Sequence, residues 1–180
     1  MSKVLIIKTS LRAKSNSDIL ADKVFEGAKD AGHNIEVISL KDKTVGFCKG
    51  CLACQTTQKC VIKDDAVEIA EKVKNADTLV FTTPIYYYEM SGQMKTLLDR
   101  LNPLFTSDYK FRNVYMLSTA AEDEAFVPKK AVSGLNGWVD CYEKASFKGS
   151  LFCGGINDMG EAAGKEEEKH EAYEFGKSLL

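Results

Sequence analysis

The sequence predicts an α/β protein: one parallel sheet of five strands in the order 2-1-3-4-5, with helices on both faces. Three observations predict it. Short apolar runs alternate with amphipathic helical stretches from one end of the chain to the other, and parallel neighbours need such crossovers. The apolar runs are brief and mostly β-branched, as strands buried on both faces are. No repeat and no linker-like tract interrupts the alternation, so residues 1–180 read as a single domain.

The elements follow in order. Lys3–Lys8 (KVLIIK) is the first strand. Ser15–Ala31 places Ile19, Leu20, Val24 and Ala28 on one helical face, and Gly32 closes it. Asn34–Leu40 alternates, so the second strand lies nearer an edge. A loop rich in Gly and Cys occupies about 44–63. Asp64 caps a helix over Asp64–Asn75. Asp77–Thr82 is the third strand, and Pro84 stops it. Ser91–Leu101 is a helix with Ser91 near its start, and Arg112–Ser118 is the fourth strand. A helix covers about Pro128–Cys141, and Ser146–Cys153 is the fifth strand. Gly160–Leu180 ends the chain as a polar amphipathic helix, with Lys165–Lys169 on its solvated face.

Composition excludes whole classes of function. Hydrophobic residues make up 44% and charged residues 28%, the balance of a globular domain. A net charge of −2 offers no electrostatic footprint for nucleic acid or an anionic membrane. No apolar run reaches the roughly 18 residues of a membrane span. The first residues, MSKVLIIKTS, are too short an apolar stretch for a signal peptide, so the expected location is cytoplasmic. The expected partners are small molecules or other proteins. His33 and His170 fall away from the strand ends, and no nucleophile–base pair or carboxylate pair emerges, so no side chain is assigned a catalytic role.

In such a sheet, ligands bind beyond the carboxyl ends of the strands, at the switch point between strands 1 and 3. After strand 1 comes a hydroxyl-rich turn without GxGxxG or a Walker A pattern. Ser10, Ser15, Asn16 and Ser17 can donate hydrogen bonds to an anion at the helix N-terminus, and Arg12 can pair with it. The plainer reading makes Ser15 or Ser17 a helix cap and Arg12 a surface charge. After strand 3 come Pro84, Ile85, Tyr86, Tyr87 and Tyr88. Three consecutive tyrosines cannot all be buried, because neighbours point apart. Some face a cleft that suits a planar ligand, or they form a mixed core and dimer contact. After strand 4, the small residues Ser118, Thr119 and Ala120 let a ligand approach the backbone.

The stretches SLRAKSNSD and TTPIYYYEMSGQMKTLLDRL resemble the phosphate loop and the flavin loop of the NAD(P)H-dependent FMN reductases of the flavodoxin-like superfamily. The first loop departs from that pattern at Thr9, where glycine is common, and at Leu11, where proline is common. The resemblance implies a flavodoxin-like three-layer sandwich that binds FMN across the ends of strands 1, 3 and 4. It implies NAD(P)H as co-substrate, delivering hydride to the flavin N5. The electrons then pass to an acceptor: a quinone, a nitro compound, a metal or a redox protein. It also implies a homodimer or homotetramer.

Cys48, Cys51, Cys54 and Cys60 lie in a compact C-x2-C-x2-C-x5-C run. The run resembles the loop of the iron–sulfur flavoproteins, in which four such cysteines hold a 4Fe–4S cluster near FMN. That resemblance implies an alternative function, an electron carrier between protein partners. Free thiols, either packing or redox-active, are the competing reading, and zinc is a third. Val61 follows Cys60, unlike the bacterial ferredoxin run that ends Cys-Pro. Cys141 and Cys153 read as small buried hydrophobes.

Overall fold

A computed structural model describes residues 1–180. Strands β1 (Lys3–Lys8), β2 (Asn34–Ser39), β3 (Thr78–Tyr86), β5 (Asn113–Thr119) and β6 (Ser146–Cys153) form a parallel sheet ordered β2-β1-β3-β5-β6. This is the expected 2-1-3-4-5 order of main strands. A two-residue strand, β4 (Glu89–Met90), joins the edge of β3 antiparallel.

The chain has six helices, α1 (Asn16–Asp30), α2 (Ala53–Thr57), α3 (Asp65–Lys74), α4 (Gly92–Arg100), α5 (Lys129–Val139) and α6 (Glu166–Lys177), and all but the short α2 cover the two faces of the sheet. The alternation of side chains along a strand sorts the core into two layers. Val4 and Ile6 of β1 pack with Leu20 and Val24 of α1 and Ala172 of α6. Leu5 and Ile7 pack on the other face with Ile69 of α3, Leu97 of α4 and Leu135 of α5. Both layers draw on β1, which is why its apolar run is unbroken. No helix is long and apolar enough to cross a membrane.

Pro84 does not stop the third strand. It lies beyond the last β1 partner of β3 and at the final β3–β5 pair, opposite Thr119. Its missing N–H therefore costs the ladder little. The strand runs on to Tyr86 and turns back through Tyr87 (φ +52°) and Tyr88 (φ +65°) into β4. Two left-handed residues are the signature of a tight hairpin turn. The loop at 44–63 also holds a short helix, α2, between two left-handed residues, Leu52 and Gln58. The last helix is shorter than expected. A 3-10 turn at Glu161–Gly164 precedes α6, because Asn16 ties this segment to α1 through Asp158 and Ala162.

Two glycines set the spacing of α1 and α6. A Cβ on Gly27 would stand 1.9 Å from the Tyr173 carbonyl oxygen, and one on Gly176 would stand 2.2 Å from the Val24 oxygen. Gly27→Ala should therefore push the helices apart and cost about 3 kcal/mol, the upper end of overpacking penalties. Urea denaturation with an unshifted midpoint would contradict this.

Candidate active site

The β1–α1 turn leads into the N-terminus of α1 and is the candidate anion site. Ser15 is the N-cap of α1, but its side chain makes no capping bond. Its Oγ lies instead 2.9 Å from Ser17 Oγ. The first-turn N–H groups thus lack the acceptor a capping serine normally supplies, which leaves them for an anion. Ser10, Ser15 and Ser17 are buried around this point, and the Ser10 hydroxyl accepts from the Arg12 N–H at 3.2 Å. Lys14 adopts φ +46°, a strained turn that lets the chain double back. The exposed Arg12 side chain crosses the turn and donates to the Asn157 carbonyl at 2.9 Å.

Asn16 is committed elsewhere. Its amide donates to the Asp158 carbonyl at 2.9 Å and accepts from the Ala162 N–H at 3.1 Å. It holds the segment after β6 against the turn. Asp18, in the same first turn, has its pKa raised by burial, with Lys8 and Lys41 opposing.

A flat cleft of about 230 Å³ lies on the same sheet edge, between the β3–β4 hairpin and the loop after β5. Ile85, Tyr87, Tyr88, Ala120 and Glu122 line it. Pro84, Tyr86, Ser118 and Thr119 do not. Ser118 and Thr119 are buried at the end of β5, and the Ser118 hydroxyl has no partner. Tyr88 is fixed in place: its hydroxyl donates to Glu122 at 3.4 Å, and its ring packs on Phe126 at 5.8 Å with Lys130 above. The hydrogen bond and charge of Glu122 raise the Tyr88 pKa, so the phenol stays a donor.

A buried hydroxyl network anchors the hairpin. Thr9 Oγ1 donates to the Thr82 carbonyl at 2.8 Å and lies 3.1 Å from Ser91 Oγ. The Ser91 N–H donates to Thr83 Oγ1 at 3.0 Å, and Ser91 Oγ caps α4 by accepting from the Met94 N–H. Sequence reasoning missed Thr9 and Thr83, and saw Ser91 only as the start of a helix. The one available signal was Thr9 itself, a hydroxyl where glycine is common.

The four loop cysteines line a second cleft of about 490 Å³, walled by Leu98, Trp138 and Tyr142. Cys48 and Cys51 are exposed, Cys60 is half-buried and Cys54 is buried. Gly50 N–H donates to Cys48 Sγ at 3.4 Å, and Asn102 Nδ2 donates to Cys54 Sγ at 3.1 Å. Cys141 is not a buried hydrophobe. It is exposed at the end of α5 and lines this same cleft as a fifth thiol. Cys153 is buried as expected, and burial pushes its pKa up to about 12. No three His, Cys, Asp or Glu side chains converge on one point, which is what a mononuclear zinc ion needs. A four-iron cluster asks for something different. Each cysteine would bind its own iron around a cage, and the four cysteines that line this one cavity match that donor set in kind. The two clefts share no residue. Lys130 stands near the first and Trp138 at the second, eight residues and about 12 Å apart along α5.

Arg100 clasps the cysteine loop at its base. Its side chain is fully buried, and Nη1 and Nη2 bind the Asp64 carboxylate at 2.6 and 2.7 Å. The same guanidinium donates to the carbonyls of Gly46 at 2.8 Å and Ile62 at 3.3 Å. Asp64 also accepts from the N–H groups of Gly46 and Ala66. Burial alone would raise the Asp64 pKa, but the Arg100 and backbone hydrogen bonds overcome it and hold it below the ordinary carboxylate value.

An open parallel sheet in the order β2-β1-β3-β5-β6, with helices on both faces, defines a flavodoxin-like fold. Residues 2–131 match the NADPH-dependent FMN reductase family, and the chain belongs to it. An iron–sulfur flavoprotein of Methanocaldococcus jannaschii is 38% identical over 102 residues, 57% of this chain and 53% of that protein. This chain thus spans about half the length of the iron–sulfur flavoproteins it matches. A Bacillus subtilis protein described as an NAD(P)H-dependent FMN-containing oxidoreductase is 26% identical over 99% of this chain and 96% of its own. In fold, the chain is similar to an NAD(P)H:quinone oxidoreductase from Methanothermobacter marburgensis. The TM-score is 0.77 at 19% identity, over 99% of both chains.

The clasp sets a pH dependence. A carboxylate whose folded pKa is depressed contributes stability above its unfolded pKa and loses it as pH falls through the folded value. Amide exchange across residues 46–64 should therefore stay slow down to about pH 4 and accelerate below it. Asp64→Asn should remove this acid dependence and cost about 3–5 kcal/mol, because a buried guanidinium loses its counter-charge. Denaturant melts and exchange profiles equal to wild type would refute the role.

Proposed function

We propose that this chain is an FMN-dependent NAD(P)H oxidoreductase that reduces a small-molecule acceptor or a redox protein. One observation carries the reading: an uncapped helix N-terminus ringed by Ser10, Ser15 and Ser17 shares a sheet edge with a flat aromatic cleft. A monophosphate on a planar ring system fits that pair of features. FMN, when bound, supplies the two-electron chemistry that links a reduced nicotinamide to the acceptor.

The residues bind, orient and exclude water. Ser10, Ser15, Ser17 and the first-turn N–H groups of α1 hold the phosphate, with Arg12 closing over it. Asn16 supports the pocket from behind. Ile85, Tyr87, Tyr88 and Ala120 wall the ring, and backbone N–H groups from Ile85 to Tyr88 or at Ser118 and Thr119 would donate to its polar edge; the Ala120 N–H is taken by the Cys153 carbonyl. No side chain acts as acid or base. Tyr87 is 98% exposed, more aromatic surface than one ligand covers. A second copy completing the cleft, in a homodimer or homotetramer, accounts for it. All six cysteines are unpaired, which suits a reducing cytoplasm.

A second reading adds a 4Fe–4S cluster on Cys48, Cys51, Cys54 and Cys60, making the protein an electron carrier between protein partners. The shared cleft of the four thiols supports it, as does similarity to iron–sulfur flavoproteins. The cluster would supply one-electron transfer.

Cofactor released by heat should chromatograph as FMN, and FAD would overturn the assignment. Arg12→Ala should weaken FMN binding by about 1.5–3 kcal/mol, the worth of a charge-assisted hydrogen bond. Unchanged affinity would leave Arg12 as a tether of the Asn157 loop only. Anaerobic reconstitution should load about four irons per chain if the four cysteines hold a cluster. Flavin without iron after reconstitution would select the cluster-free enzyme.

A further inference from the structure

The turn after α4 meets one of the four loop sulfurs, and the last residue of α4 shares a small cavity with a second cysteine. Arg100 is its last residue, and Asn102 opens the 3-10 turn that follows. Asn102 already donates to Cys54 Sγ at 3.1 Å. Arg100 spends its two Nη groups on Asp64 and the loop carbonyls, but its Nε–H is buried and has no acceptor. Cys60 and Arg100 border one small internal cavity of about 10 Å³. An unpaired buried donor is costly unless something completes it. A negatively charged sulfur at Cys60 would do so. On the outer side of the cleft, Cys48 meets only the Gly50 N–H, and Cys51 makes no hydrogen bond.

We propose that Asn102 and Arg100 are positioning residues of the cysteine site, Asn102 donating an N–H to the sulfur of Cys54 and Arg100 an N–H to that of Cys60. The inference rests on the cluster reading above. Hydrogen bonds to cluster sulfurs favour the more negative, reduced state and so raise the reduction potential. Groups that orient metal ligands also govern how firmly the metal is held. The two inner sulfurs are thereby fixed from α4, and the two outer ones remain at the surface, where a redox partner can approach.

The test is Asn102→Leu, which keeps shape, removes the donor and leaves the Arg100–Asp64 clasp intact. The full chain is reconstituted anaerobically with iron and sulfide. Three quantities are read: FMN content, the cluster potential by redox titration followed by electron paramagnetic resonance, and the rate of iron loss to a chelator. The variant should retain FMN, shift its potential negative and lose iron about tenfold faster than wild type. Arg100→Lys lacks Nε–H but also opens the Asp64 clasp, so it is read against Asp64→Asn, which opens the clasp alone; its potential should lie the more negative of the two. Asn102→Leu with unchanged potential and unchanged iron loss would overturn the proposal while leaving the cluster in place. Equal potentials in Arg100→Lys and Asp64→Asn would strike out its Cys60 half. Wild-type protein that takes up FMN but no iron would remove the cluster reading and the proposal with it.

Discussion

A parallel sheet has only one edge at which its strands end, and every loop leaving that edge must fall near its neighbours. The order β2-β1-β3-β5-β6 places the loops after β1, β3 and β5 side by side. All proposed FMN contacts come from those three loops. The remaining features of the site stabilise loops already gathered there. The Thr9–Ser91–Thr83 hydroxyls tie the hairpin after β3 to β1 and α4, and Asn16 ties the segment after β6 to α1. Both ties are buried, so they are stiff, and each leaves its neighbours' backbone free to meet a ligand.

The cysteine loop obeys a different constraint. Its apolar side chains Phe47, Leu52 and Val61 stay exposed, and a buried ion pair closes it. Arg100 reaches both ends of the loop, through Gly46 and Ile62, and neutralises Asp64 between them. A buried pair of this kind gains little over an apolar contact but makes the loss of either member expensive. The consequence is a loop with a defined base and a more open rim, where Cys48 and Cys51 are exposed. The walls come from the aromatic core. Trp138 and Tyr142 stack among Tyr109 and Phe111, so the thiol cleft rests on the packed interior of the fold.

The two clefts stand toward opposite ends of α5. The loop after β2 runs back along α4, whose C-terminal residues Leu98 and Asp99 line the thiol cleft together with Asn102 of the following turn. The flavin-type cleft sits by contrast where α5 begins, beside Lys130 and Val127. A site built on the fold's common edge and a site built on one long loop can therefore vary independently. The first depends on strand order, and the second on a single clasp.

Short-range pattern alone determined the five main strands, the crossover helices and the hydroxyl-rich turn after β1. Each is written in spacing that neighbours along the chain can express: the unbroken run KVLIIK, the helical face Leu20–Val24, the N-cap at Asp64. Tertiary structure decided what depends on residues far apart in sequence. Arg100 carries no assigned role at the end of the helix read over Ser91–Leu101, and only the fold puts it in reach of Asp64, 36 positions earlier. Pro84 reads as a stop, and only the absence of a β1 partner beside it lets β3 continue. Cys141 reads as a small buried residue, and only the packing of α5 against the loop brings it to the thiol cleft. Asn16 reads as a ligand donor, and only the return of the chain after β6 shows its amide already occupied. Local propensity has no access to such pairings, because their energy appears only once the sheet has brought both partners together.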